Sequence, residues 1–153
     1  MRVWRLAREP YCQDRVGEGA RMNGGRWNAM GTGVLYCATT RSLAALEYLA
    51  HLGANYPSDV VLVGIDLPSN CTIDNPDEAA LPEDWASPFP SPACQTWGTK
   101  WCISNQALAM EVPSVIVPEE KNIIINCAHP QMANLVLTPI RRFYFDLRLT
   151  RQA

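Results

Sequence analysis

The chain has 153 residues, a formal charge of −2, a pI near 5.6 and 48% apolar residues. That is one domain's worth of core, without the basic footprint a nucleic-acid backbone binder carries, so direct nucleic-acid binding is not expected. The charged start MRVWRLAREP has no signal-peptide core and no stretch reaches the roughly 18 apolar residues of a membrane span, so a soluble, cytoplasmic chain is expected.

In chain order, Val3–Leu6 reads as a first strand, and the Gly-rich stretch from Asp14 to Asn28 reads as loop. Val34–Ala38, bounded by Gly31 and Gly33, has the length and character of a buried strand. Thr39, Thr40 and Ser42 then offer caps to a helix carrying Leu43, Leu46, Leu49 and Ala50, with Gly53 as its stop. Val60–Leu67 is a β-branched strand closed by Pro68. From Asp74 to Pro92 five prolines after Asp74 exclude a regular element, so an exposed insertion is expected. Gln95–Ala109 is expected as a helix ended by Pro113, with Trp97, Trp101 and Leu108 on one side. Short elements follow at Ser114–Val117 and Asn122–Asn126. A last strand is read at Arg142–Leu149, with Phe143, Phe145, Leu147 and Leu149 inward. Strands mixed with helices without a regular βαβ rhythm predict an α+β fold.

Six cysteines without a C-x-x-C spacing, in a chain expected in a reducing compartment, predict free thiols. Two histidines and no paired cysteine ligands predict no metal site.

Several residues carry chemistry. Gly24-Gly25-Arg26-Trp27-Asn28 is neither a P-loop nor a dinucleotide fingerprint, but it sets a guanidinium on a backbone that glycines bring close to a ligand. Arg26 there suits a pyrophosphate or, equally, a structural ion pair. Tyr36 is a core filler or a flat platform for an aromatic ligand. Glu47 sits inside an apolar helix on the face of Leu43 and Ala50, an uncommon place for a carboxylate without a purpose, with a solvated edge of the helix as the alternative. His51, one turn on, is placed to hydrogen-bond it. Ser114 lies in Val-Pro-Ser-Val-Ile-Val-Pro without the elbow of a serine hydrolase. Asn126 either bonds a ligand or caps its own turn.

Gly25-Arg26-Trp27, Val34-Leu35-Tyr36, Leu43-Ala44-Ala45-Leu46-Glu47, Val112 to Pro118, Asn122 to Asn126 and His129-Pro130 follow one another across most of the chain. Taken together they resemble the RES family, whose Arg, Glu and Ser fall at Arg26, Glu47 and Ser114. The resemblance implies one RES domain over residues 1–153, with a fold like that of ADP-ribosyltransferases: small mixed or antiparallel sheets flanked by helices. It implies a toxin with NAD+ as substrate, not cofactor, and an Xre-type helix-turn-helix antitoxin as partner. Breakdown of NAD+ by hydrolysis or phosphorolysis is the expected activity, with ADP-ribosylation of a macromolecule as the alternative. In this reading Arg26 takes the diphosphate and Tyr36 the nicotinamide or its ribose. Glu47 stabilises the ribose cation, and Ser114 supports the ligand or Glu47. Asn126 adds a secondary polar contact and Arg5 a second phosphate contact. A reading of another class makes the chain an inactive binding module whose five tryptophans serve packing or partner contact.

Overall fold

The computed structural model describes residues 1–53 and 56–150; residues 54–55 and 151–153, the last three of the expected domain among them, lie outside the described residues. The strands are β1 (Arg2–Arg8), β2 (Val34–Ala38), β3 (Val60–Asp66), β4 (Ile73–Asp74), β5 (Ala109–Pro113), β6 (Lys121–Asn126) and β7 (Val136–Arg142). They form one seven-stranded sheet in the order β4-β5-β6-β2-β1-β3-β7, antiparallel except where β4 meets β5. The class is α+β, as expected, but a single sheet replaces the several small ones.

Alternation along the strands gives the sheet two different faces. Val3, Leu35, Cys37, Ile65, Ile123 and Ile125 point to an underside that Met132 and Leu135 cover, both from the 3-10 turn Pro130–Asn134 and the residue after it. The upper face carries two separate clusters. In one, helix α2 (Arg41–His51) lays Leu43 and Ala44 on Trp4, Leu6 and Ala38. In the other, Trp27 and helix α3 (Pro92–Ser104) cover Val34, Met110, Val112 and Ile124. Tyr36 shares the upper face with Val34 and Ala38 and is 36% exposed in an otherwise buried strand. Its ring marks the gap between the two clusters.

Four elements differ from expectation, each for a local reason. The stretch read as loop contains a short helix, α1 (Glu18–Asn23), because the Asp14 carboxylate accepts from the N–H groups of Val16, Gly17 and Glu18. Helix α3 starts earlier and ends earlier than Gln95–Ala109. Ser91 caps it through Cys94 N–H, Pro92 suits a first turn, and Asn105 leaves it in the left-handed conformation at φ 52°. Ser114–Val117 is a turn rather than a strand, since the Ser114 hydroxyl accepts from Ile116 and Val117 N–H. The last strand is β7, upstream of the residues expected. Beyond it Phe143 and Phe145 pack on the α2 cluster, where Phe145 stacks on Tyr48 with centroids 6.0 Å apart. Leu147 and Leu149 fall in a final helical turn, α4 (Leu147–Thr150), and are exposed.

The expected insertion after Asp74 has no strand or long helix beyond a 3-10 turn at Glu78–Ala80, yet Leu81 is buried and Trp85 packs on the Trp27 cluster. At the sheet's edges, β4 has two residues, and β7 carries Pro139 opposite Val63, where the ladder with β3 slips between Leu62 and Val63. No described helix is long and apolar enough to cross a membrane.

Candidate functional site

Helix α2 begins at Thr40, whose hydroxyl accepts from Leu43 N–H and donates to Glu120 Oε2 at 2.6 Å. Thr39 donates through both its N–H and its hydroxyl to the Lys121 carbonyl. These contacts lock the start of α2 to the turn joining β5 and β6. Two turns along α2, Glu47 therefore meets the end of β5 and the start of β6.

There its Oε1 accepts from Ser114 Oγ at 2.8 Å and from Asn122 Nδ2 at 2.5 Å. No described residue bonds Oε2. The Ser114 side chain is fully buried, and its oxygen already accepts two backbone N–H groups at 3.0 Å. Its one proton is thereby directed at Glu47. The amide of Asn122 is oriented by the same logic, because a carboxylate needs the NH2 end. That orientation leaves Asn122 Oδ1 buried without a partner, at a cost of about 1–3 kcal/mol. His51 reaches Glu47 as well, but through the backbone: its Nδ1 lies 2.7 Å from the Glu47 carbonyl, not the carboxylate.

In the ladder Tyr36 pairs with Ile124 and Ala38 with Asn122, so Tyr36 and Asn122 are diagonal neighbours on the upper face, about 7 Å apart by strand geometry. The exposed Tyr36 thus lies one ladder step from Asn122, whose amide holds the Glu47 carboxylate. Its hydroxyl turns the other way, accepting from Trp27 N–H at 2.9 Å and donating to Asn28 Oδ1 at 2.7 Å. Burial of that oxygen pushes its pKa up from the ordinary phenol value. A Cβ on Gly25 would stand 2.5 Å from it, so only glycine fits there.

The Gly25–Asn28 loop brings Arg26 to the hydroxyl end of Tyr36. Helix α3 holds that loop through Gln95 Nε2 on the Gly25 carbonyl and Thr99 Oγ beneath Ala29 N–H. Gly98 lets the helix approach, since a Cβ there would be 2.1 Å from the Trp27 carbonyl oxygen. Arg26 makes no ion pair among the described residues. Its Nη1 and Nη2 donate to the carbonyls of Trp85 at 2.9 Å and Pro88 at 3.3 Å, in the proline-rich segment. A guanidinium has five N–H groups, so three carry no described bond.

The structure brings Arg26, Tyr36, Glu47 and Ser114 to one face and leaves two expected residues out. Asn126 lies at the opposite end of β6, fully buried. Its Nδ2 donates to the carbonyl of Cys102 and to Asn105 Oδ1, and its Oδ1 accepts from Ala128 N–H. It fastens the end of α3, away from Glu47. Arg5 projects from β1 to the underside, where its charge is felt by the thiols of Cys37 and Cys127. The sheet separates it from Tyr36. Burial pushes both thiols up to about 12, and all six cysteines are free.

Asn122 and Asn28 were not singled out from sequence. Asn28 is fully buried, donating to the carbonyls of Ala20 and Thr32 while receiving Tyr36. The available signal for Asn122 was parity: it shares a face with Asn126 across the isoleucine run, and of the two it is the one near Ser114. Two cavities lie off the cluster. One of about 380 Å³ is lined by Leu81, Pro82 and Trp85, and one of about 260 Å³ by Asp74, Trp97, Trp101 and Met110.

Comparison with known proteins adds independent observations. Residues 2–146 match the family model of the RES domain. The chain is 35% identical to the "Prs ADP-ribosylating toxin" of Sphingobium sp. (strain YBL2), covering 98% of this chain and 97% of that protein. It is 41% identical to the "Toxin Res" of Photorhabdus laumondii, over 82% of this chain and 81% of the relative. Among solved structures, the Mycobacterium tuberculosis MbcT–MbcA toxin–antitoxin complex contains a chain of the same fold, with a TM-score of 0.69 at 18% identity. The match covers 90% of this chain and 80% of that one.

Proposed function

The chain belongs to the RES domain family, and we propose that it is the toxin of a toxin–antitoxin pair that cleaves the nicotinamide–ribose bond of NAD+. The observation that carries this reading is the Glu47 carboxylate, tied through Oε1 to Ser114 and Asn122 with no described bond on Oε2, while Asn122 is the diagonal ladder neighbour of the exposed Tyr36.

Nicotinamide leaves as a neutral molecule from a cationic substrate, so no general acid has to protonate it. The requirement is a fixed negative charge facing the ribose as positive charge develops at its anomeric carbon. A preorganised carboxylate screened from water contributes on the order of several kcal/mol to that. Glu47 fills this role, with Tyr36 as the platform for the nicotinamide ring or its ribose. Arg26 offers its free N–H groups to the diphosphate. The bond breaks with its electron pair going to the nicotinamide nitrogen. Water or phosphate then adds to the ribose, giving ADP-ribose or its 1-phosphate. The proteins compared are named as toxins or belong to a toxin–antitoxin complex, which supports an antitoxin as partner; in this reading it is of the Xre type and covers the upper face.

A second reading has its own support. A relative matched over nearly the whole chain is named an ADP-ribosylating toxin, and the same cleavage with a macromolecular acceptor would produce that outcome. NAD+ remaining after incubation with the wild type and Glu47→Gln, with and without phosphate, tests the first step. Loss with the wild type alone is expected, and product mass separates water from phosphate. Label transferred from adenylate-labelled NAD+ to lysate protein would select the second reading. NAD+ untouched in every arm, with no label transferred, would overturn both.

A further inference from the structure

We propose that Asn122 is a positioning residue for Glu47, fixing which carboxylate oxygen faces the ligand. This rests on the reading of Glu47 given above. The two donors on Oε1 come from different strands, Ser114 just past the end of β5 and Asn122 near the start of β6, while the carboxylate comes from α2. Two donors converging on one oxygen fix both the χ angles of the glutamate and the plane of its carboxylate. Oε2 is then the oxygen left to face the gap at Tyr36.

The orphaned Oδ1 points to function over stability. Position 122 lies on the upper face between Ala38 and Val112, where an apolar side chain would leave no polar atom unpaired. The asparagine instead keeps one buried acceptor empty to hold its donor on Glu47. Ser114 also closes its own turn through two N–H groups, so its placement answers to the backbone too. Asn122 has no described side-chain bond other than the one to Glu47.

The test is a double-substitution cycle on the purified full chain, with NAD+ binding, turnover and thermal melting measured for each protein. Asn122→Ala is expected to lower kcat about tenfold to 100-fold, with KM and NAD+ affinity within about twofold. Asn122→Asp keeps the shape and replaces the donor with a second acceptor, and should lose at least as much turnover. On a Glu47→Gln background Asn122→Ala should cost less than about twofold more, because the two act as one unit. A KM that rises with unchanged kcat, or losses that multiply independently in the double variant, would overturn the assignment. If Asn122→Ala does not fold, the isosteric Asn122→Asp carries the kinetic test.

A readout apart from turnover separates this inference from the reading it rests on. In the wild type the Asn122 side-chain amide resonance, followed by 15N NMR, should move on Glu47→Gln. Movement in a protein that leaves NAD+ untouched would uphold the contact while ending the NAD+ reading, and the positioning role with it. An unmoved resonance would remove the contact whatever the activity.

Discussion

The two charged ends of the upper face are held in opposite ways. Glu47 is gripped by the side chains of Ser114 and Asn122, beside regular strands, and the helix that carries it is tied by Thr39 and Thr40 to the same turn. Arg26 is gripped by two backbone carbonyls from a proline-rich segment without strands, while its own loop rests on α3. The first arrangement suits a charge that must not move during a reaction, since preorganisation avoids reorienting dipoles at the barrier. The second suits a charge that has to accept a large anionic ligand, since three of its five N–H groups carry no described bond.

The largest expected effect tests the rigid end. Ser114→Ala removes one donor to Glu47 and strands the Ile116 and Val117 N–H groups. Turnover should fall about 100-fold, and stability in urea by about 1–3 kcal/mol. A variant with wild-type kcat would show that the carboxylate does not depend on its clamp. The exchangeable end predicts a different kinetic signature. Arg26→Ala should raise KM for NAD+ about tenfold while kcat changes little, and an unaltered KM would remove the diphosphate contact. The smallest expected effect on activity, and a sharper division between the two ends, comes from Gly98→Ala. The added methyl meets the Trp27 carbonyl, so stability should drop by about 1–3 kcal/mol. Any kinetic change should appear in KM, through the Arg26 loop, and leave kcat alone. A loss confined to kcat would mean that the two ends are mechanically coupled.

The same contrast explains how far the sequence could be read. β2, α2 and β3 were legible almost to the residue because hydrophobic period, caps and breakers agree along them. Glu47 stood out as a charge inside an apolar helix face, and the motif order supplied Arg26, Tyr36 and Ser114. Arg5 and Asn126 could not be placed from sequence, because the face of a strand and its register are settled only by pairing. Arg5 sits on the strand next to the one that carries Tyr36, yet on the other face of the sheet. Asn126 and Asn122 share a face, and only the register of β6 with β5 shows which one meets Glu47. The partners of Arg26 were beyond reach for a related reason. A carbonyl some sixty positions away leaves no trace in residue type.

The ends of the sheet carry a consequence for how the molecule meets its neighbours. An exposed strand with free N–H and C=O groups templates pairing with any other extended chain. Here one border is only Ile73 and Asp74, too short to recruit a partner strand, and the other is interrupted by Pro139, which has no N–H to offer, beside a slip in register. Both borders are therefore poor templates for sheet growth. Copies of this chain should resist fibril-like stacking, and a protein that binds it is left to do so by shape and charge against its faces.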